Sequence, residues 1–282
     1  IDFPVSGSGY STQIRNIGKT SNRGFELTLN GIIINKQDIK LELSFNISAN
    51  KNRVDDLGGL TNIIANSAWT SDAQASNDFI VKEGQPVGTM YGYVTDGFYS
   101  ADDFTWNGNS WILKDTSVAI PDNKAIAGVS WGPGALKLKD LNGDSTITEA
   151  DKTIIGCAMP KNTGGFSINA NIKNFDIALN FNWVYGNNIY NANKIEFTTV
   201  NKYKYRNMLD IVNSENRWTN IDPVTGDRIN DADRLKEINS DATIWSPAIS
   251  KYVFHSWAVE DGSFLRLNNV VLGYKLPTKL VN

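Results

Sequence analysis

The feature that most constrains the fold is a strict alternation of apolar and polar side chains over residues 41–50. Leu41, Leu43, Phe45, Ile47 and Ala49 are apolar, and every residue between them is Glu, Ser or Asn. Successive side chains of a β-strand point to opposite faces, so the pattern predicts a strand with one apolar and one polar face. Its length matches the roughly 9–11 residues of a tilted strand that crosses a bilayer.

The same period recurs along the chain and predicts five antiparallel strands of one tilted wall. These strands are Phe25–Ile34, Leu41–Asn50, Gly165–Ile172, Phe175–Tyr185 and Phe264–Tyr274. Short turns are expected at 35–38, at 173–174 and from Pro277, whereas 51–163 and 186–250 are long connections. Short turns on one side and long loops on the other are typical of a transmembrane β-barrel. Tyr252–Trp257 is a further predicted strand, and a short helix is possible within 203–218.

The alternation also assigns the two faces of the wall. Side chains expected to face lipid include Phe45, Ile47, Leu179 and Phe181, and those expected to face the lumen include Glu42, Ser44, Asn180 and Asn182. Trp183, Tyr185 and Tyr274 stand at strand ends, where barrels carry aromatic girdles. The alternative fold is a soluble β-sandwich whose apolar face turns inward.

A separate stretch, Asp140–Asp151, has oxygen groups at the spacing of a calcium-binding loop. The candidate ligands are the side chains of Asp140, Asn142, Asp144 and Asp151 and the carbonyl of Thr146. The four side chains occupy positions one, three, five and twelve of a twelve-residue loop, and the carbonyl occupies position seven. Ser145 replaces the usual Gly, and Asp151 replaces the usual Glu. The spacing predicts one structural Ca²⁺ that braces the loop, with Thr148 contributing directly or through water. The alternative is a solvated acidic turn without metal.

Net charge and a few single residues limit the other functions that the sequence supports. A net charge of −3 gives no argument for nucleic-acid binding. His255 is the only histidine, so a Ser-His-Asp site would need it; a strand position without catalysis is the favoured interpretation. No apolar run reaches the length of a membrane helix, about 20 residues. Trp106 and Trp111 either stack on a sugar or anchor their loop.

Four stretches, in order along the chain, resemble SusC/RagA-type TonB-dependent outer-membrane transporters: Asn16–Leu29, Gly84–Tyr99, Leu138–Gly156 and Glu260–Pro277. The resemblance implies the C-terminal portion of a barrel of about 22 strands, without the plug domain and the closing strands. Residues 51–163 and 186–250 would then be long extracellular loops.

The resemblance also implies a function and partners. We expect energy-dependent import of a glycan or oligopeptide across the outer membrane of a Bacteroidetes-type bacterium, without covalent chemistry. A SusD-like surface lipoprotein would cap the barrel, TonB would act through the missing N-terminal region, and outer-membrane lipid would surround the wall. Two other classes stay open: a secreted carbohydrate-binding β-protein stabilised by Ca²⁺, and a glycoside hydrolase with two carboxylates about 5–10 Å apart.

Overall fold

A computed structural model of the chain describes residues 18–67, 77–121, 132–200, 205, 207–248 and 253–277. These residues form strands that are, in chain order, β1 Lys19–Lys36, β2 Ile39–Asp56, β3 Asn62–Asn66, β4 Asn77–Lys82, β5 Thr89–Gly92, β6 Thr95–Phe98, β7 Phe104–Trp106, β8 Trp111–Leu113, β9 Ile120–Pro121, β10 Leu136–Leu138, β11 Thr146–Ile147, β12 Thr153–Cys157, β13 Asn162–Ile172, β14 Phe175–Tyr185, β15 Asn188–Tyr190, β16 Val259–Asp261 and β17 Phe264–Tyr274. The helices are α1 Ala192–Glu196 and α2 Ala232–Ile238, with 3₁₀ turns at Ala101–Asp103, Glu149–Asp151, Asp210–Val212 and Ser256–Ala258. None of the helices among these residues is long and apolar enough to cross a membrane.

The largest sheet, which we call the wall, has five strands in the order β1-β2-β13-β14-β17. All its neighbouring strands are antiparallel. The predicted bounds of β14 and β17 are confirmed, whereas β1 and β2 each extend to 18 residues. The prediction that the second strand ends at Asn50 is therefore wrong. It continues to Asp56 because β1 pairs with it as far as Lys19, and because Gly84 and Gln85 hydrogen-bond to both backbone groups of Val54.

The register of the wall places the apolar positions of all five strands on one face. In the middle of the wall this face carries a row of Leu29, Phe45, Phe166, Phe181 and Leu267. Many of its side chains are exposed, including Phe25 at 60%, Leu265 at 65% and Leu272 at 70%. A sandwich would cover this face with a second sheet, so the exposure argues for contact with lipid.

Two irregularities keep the apolar face continuous where the sequence loses its simple alternation. In β17 the apolar positions change from odd to even numbers between Leu267 and Val270, and the register shifts between the partners of Asn180 and Phe181. A second shift lies between Ile32 and Ile34. A β-bulge inserts one extra residue, and this restores the face on which later side chains lie.

The polar positions share the opposite face, as predicted. Ser44, Ser167 and Asn180 lie in one row there, and Asn46, Gly165 and Asn182 lie in the next row. Ser48 donates a hydrogen bond to Glu26 across the same face, at 3.3 Å. These amides, hydroxyls and carboxylates suit a water-filled lumen.

The two short turns lie side by side at one end of the wall. The Lys173 backbone N–H, in a residue with a φ of 54°, donates to the Asp38 carbonyl at 2.7 Å. Both predicted hairpin turns are confirmed, at positions 37–38 and 173–174. The turn predicted from Pro277 extends beyond the described residues.

Because the wall is antiparallel, both long connections leave it at the opposite end. We call their described parts, within 57–161 and 186–263, the loop layer. One sequence expectation is wrong there. Tyr252–Trp257 is not a strand: its described part contains a single bridge at His255, followed by a 3₁₀ turn. The short helix that the sequence allowed within 203–218 lies partly outside the described residues, and among residues 207–218 the helical element is the 3₁₀ turn Asp210–Val212.

Candidate functional site

The candidate functional site is the loop layer together with the rim of the wall beneath it. One buried cluster unites the two long connections: Tyr93, Leu138 and Ile147 come from the first, and Val212 and Trp245 come from the second. The backbones also join, since the Tyr93 N–H donates to the Phe254 carbonyl at 3.0 Å. The connections are therefore one folded unit with its own core, set at one end of the wall.

His255 lies at the centre of this junction. Its side chain is buried, its Nδ1 is 2.6 Å from the Thr95 hydroxyl oxygen, and its ring lies beside those of Trp245 and Trp257. Burial lowers the pKa of His255 to about 3, and the charge of Lys194 acts in the same direction. His255 is therefore neutral at ordinary pH, and its role is packing within the loop layer.

The acidic loop predicted to bind Ca²⁺ is held in shape by hydrogen bonds from its own backbone N–H groups to its carboxylates. Asp140 accepts hydrogen bonds from the N–H groups of Asn142, Gly143 and Ser145, at 2.7–3.2 Å. These bonds, that of Gly143 first, lower the pKa of Asp140. Ser145 adopts a φ of 62°, which is the left-handed conformation that Gly supplies in the standard loop. The sharp turn therefore forms despite the serine.

Asp151 closes the loop from the other side. Its side chain is fully buried, and its two oxygens accept from the N–H groups of Leu141 and Thr148, at 2.9 and 2.8 Å. Ile147 is also fully buried, as predicted for the residue that pins the loop. Asp151 thus joins the two ends of the loop through hydrogen bonds.

The predicted metal ligands are brought into one loop, and most of their oxygens face backbone donors. Besides the bonds of Asp140 and Asp151, Asp144 accepts from the N–H of Thr146 at 2.8 Å and from the amide of Asn142 at 3.0 Å. Within the described ranges, no group of three or more His, Cys, Asp or Glu side chains gathers as metal ligands. Calcium binding at Asp140, Asn142, Asp144, Thr146 and Asp151 stays a prediction.

The tryptophan pair forms part of the packing of the loop layer. Trp106 and Trp111 face each other across a two-stranded ribbon, with ring centroids 5.4 Å apart at 65°. Trp111 also packs against two buried clusters, which contain Ala101 and Phe104. The geometry favours the anchoring role for Trp111.

Sequence reasoning missed a group of cations where the wall meets the loop layer. Arg23, Lys51 and Arg53 stand on the apolar face of β1 and β2, beyond Phe25 and Ala49. Arg23 and Lys51 also line a cavity of about 680 Å³ between the wall and the loop layer. The signal was present in the sequence, since the alternation of β2 continues past Ala49 with cations at the outward positions.

No family model matches the chain. It is 30% identical over 270 residues to TonB-dependent receptor P3 of Formosa agariphila, an alignment that covers 96% of this chain and 23% of that receptor. It is 27% identical to TonB-dependent receptor P26 of the same organism, with the same two coverages. The chain thus spans about a quarter of the length of these relatives.

Solved structures give the same fold. The chain aligns with a structure of the RagAB peptide transporter at a TM-score of 0.64 and 20% identity, over 99% of this chain and 25% of that one. It aligns with the RagAB peptide importer in the closed-closed state at a TM-score of 0.65 and 21% identity, over 100% and 26%. The predicted barrel architecture is confirmed, and so is the resemblance to SusC/RagA-type TonB-dependent receptors: the chain is similar in sequence to such receptors and shares the fold of part of the barrel of these transporters.

Proposed function

We propose that the protein to which this chain belongs imports a glycan or an oligopeptide across the bacterial outer membrane, driven by TonB. The observation that carries the proposal is the joint folding of both long connections over one end of a wall with a lipid-type face. Such a layer can hold a substrate above the lumen while the wall stays fixed in the bilayer. The RagAB structures are those of a peptide transporter and importer, which supports an oligopeptide as one candidate.

We propose further that the loop layer faces the outside of the cell and contacts a SusD-like lipoprotein that caps the barrel. Long loops on one side and short turns on the other support this orientation, since periplasmic turns of such barrels are short. The interior of the layer is closed by packing of apolar side chains, so its exposed residues remain for the partner and the substrate. The similar receptors and transporters support a role without covalent chemistry.

Uptake by cells that carry the full-length protein tests the function. A deletion strain is complemented with wild type, with Leu138→Asp, which places a charge in the core of the loop layer, or with Val224→Asp as a matched control. Leu138 is 2% exposed and Val224 is 84% exposed. We expect labelled oligopeptides or oligosaccharides to accumulate with wild type and with Val224→Asp, and not with Leu138→Asp.

Two controls sharpen this test. An uncoupler of the proton-motive force should abolish accumulation, and the lipoprotein should co-purify with wild type and not with Leu138→Asp. Failure of both substrate classes to accumulate above the deletion strain would contradict the proposed import. Normal uptake by a Leu138→Asp protein with a disordered loop layer would contradict the role given to that layer.

For the acidic loop we retain one structural Ca²⁺ as a proposal. Three carboxylates, those of Asp140, Asp144 and Asp151, lie in one loop whose turn has the conformation of calcium-binding loops. When bound, the ion would neutralise these carboxylates and stiffen the loop, and the residues Asp140, Asn142, Asp144 and Asp151 would hold it with the Thr146 carbonyl.

A further inference from the structure

The outward face of the wall carries a basic cluster, Arg23, Lys51 and Arg53, at the end that meets the loop layer. Arg23 lies directly opposite Lys51 in the β1–β2 ladder, and Arg53 lies opposite Ser21 in the next row. All three cations are exposed. Directly opposed residues of an antiparallel pair lie on the same face, so the three charges point outward, on the same side as Phe25 and Leu27.

The register also fixes the height of this cluster relative to the lipid-facing band. One edge of the band is the row of Phe25, Ala49, Asn162 and Tyr185, and the other is the row of Ile39, Ile172, Phe175 and Tyr274. Ten residues of β2 separate these rows, which is about 33 Å along the strand and about 25 Å along the membrane normal at a 40° tilt. That equals the height of the apolar band of outer-membrane barrels, about 25 Å.

Arg23 and Lys51 lie two residues beyond the edge of this band, which is about 5 Å further along the normal. Tyr185, at the edge, is 55% exposed and Phe25 is 60% exposed, as expected of a girdle. The cluster therefore lies at the level of the lipid headgroups rather than of the acyl chains.

The charges of the cluster are largely uncompensated. Arg53 pairs with Asp55 at 3.6 Å, and neither Arg23 nor Lys51 forms an ion pair with any described residue. Like charges directly opposite each other destabilise a sheet, so this arrangement is unfavourable without an anion. On the lumen face at the same height the side chains are neutral, and Asn22 accepts hydrogen bonds from the amides of Asn50 and Asn52.

The cluster borders space that suits a phosphate group, next to a cavity with apolar surface. Ser21, Arg23, Lys51, Arg53 and Asp55 line a cavity of about 170 Å³, several times the ~30 Å³ that one water molecule occupies. Arg23 and Lys51 also line the adjoining 680 Å³ cavity, where Phe25, Met159 and Pro160 supply apolar surface. Guanidinium groups bind phosphate with strong, charge-assisted hydrogen bonds.

We propose that Arg23, Lys51 and Arg53 bind the phosphate of a lipid headgroup in the leaflet on the loop-layer side of the membrane. The inference rests on the proposed orientation in the outer membrane and is independent of what the protein imports. The bound lipid would neutralise the cluster and fix the depth of β1 and β2 in the bilayer, below the loop layer.

The test is native mass spectrometry of the full-length protein in detergent, titrated with bisphosphorylated lipid A and with the same lipid after removal of its phosphates. We expect the phosphorylated form to bind more tightly to the wild-type protein. Lys51→Gln should lower its affinity about fivefold, and the triple Arg23→Gln, Lys51→Gln, Arg53→Gln variant should lower it on the order of 100-fold, at about one fivefold step per cation.

Three controls separate a binding role from a structural one. Lys36→Gln, which removes an outward cation at the opposite edge of the band, should bind as wild type does. Asp55→Asn frees Arg53 from its partner and should raise the affinity, a gain that a misfolded variant would not give. Millimolar inorganic phosphate should leave lipid binding unchanged.

Equal binding of the two lipid forms by wild type would overturn the inference, as would unchanged affinity in the triple variant and in Lys51→Gln. Full competition by inorganic phosphate would instead assign a site for free anions and overturn the lipid assignment. The uptake assay is separate, so transport without phosphate-dependent lipid binding would refute this inference alone.

Discussion

Replacing Phe181 with Arg tests the assignment of the two faces of the wall. Phe181 lies six residues from Phe175 and four from Tyr185, the two ends of β14, so it is one residue from the middle of the strand. That offset is about 3.3 Å along the strand and about 2.5 Å along the membrane normal. The new guanidinium would therefore enter the bilayer close to its midplane.

The expected loss has two parts. An Arg on the lipid face at the midplane costs about 2–4 kcal/mol. The Phe181 ring also stacks on that of Phe166, with centroids 4.5 Å apart at 12°, and losing such a pair costs about 0.5–1.5 kcal/mol. We therefore expect Phe181→Arg to lower the free energy of unfolding by about 3–5 kcal/mol, and Phe181→Leu to lower it by about 1 kcal/mol.

The matched control is Asn180→Arg, at the same depth on the opposite face. Asn180 lies between Ser167 and Asn269 on the polar face, where a lumen would hydrate the new charge. Its expected loss is below about 1 kcal/mol, because lumen positions do not contact lipid. The assay is urea unfolding of the full-length protein from phosphatidylcholine vesicles, followed by tryptophan fluorescence and extrapolated linearly to water. A larger loss for Asn180→Arg than for Phe181→Arg would refute the assignment and favour a sandwich.

Three further predictions concern the loop layer. Because the folded-state pKa of His255 lies near 3 and that of the unfolded chain near 6.5, the unfolded chain binds the extra proton between these values, and stability falls as pH drops below about 6.5. Thermal unfolding followed by near-ultraviolet circular dichroism should show that the wild type loses about 2 kcal/mol of unfolding free energy by pH 5, and that His255→Gln does not lose this amount. Equal acid sensitivity of the two proteins would contradict this prediction. Asp151→Ala removes the hydrogen-bond acceptor of the Leu141 and Thr148 N–H groups and should destabilise the loop by about 2–4 kcal/mol. Hydrogen exchange of these two amides measures the loss. Unchanged protection would refute the role of Asp151. In millimolar Ca²⁺ the acidic loop should resist protease, and this resistance should be lost on chelation or in Asp144→Ala. The Ca²⁺ concentration for half-maximal protection should be about 10⁻⁴–10⁻³ M. Protease resistance that does not change on chelation would contradict the calcium proposal.

The sequence alone determined the faces and the short turns of the wall. Period-two alternation is a local property, since each strand residue turns its side chain to the face opposite that of its neighbour. Leu41–Asn50 and Phe175–Tyr185 could therefore be assigned residue by residue, and the register of the structure agrees with that assignment. The turn of the acidic loop was equally local, because Asp140 bonds only to the N–H groups of residues that closely follow it.

The tertiary structure decided what has no period. The apolar neighbours of His255 predict a strand, yet Phe254 and His255 are buried in the core of the loop layer, where the His255 side chain lies beside Thr95 and Trp245. The end of β2 depends on its pairing with β1 as far as Lys19 and on hydrogen bonds of Val54 with Gly84 and Gln85, about 30 residues away in sequence. No local pattern near Asp56 reports these contacts. The same applies to the basic cluster: alternation gave Lys51 and Arg53 a face, but only the pairing of β1 with β2 brought Arg23 beside them. Contacts between distant segments depend on the closure of long loops, and local side-chain periodicity carries no information about which segments meet.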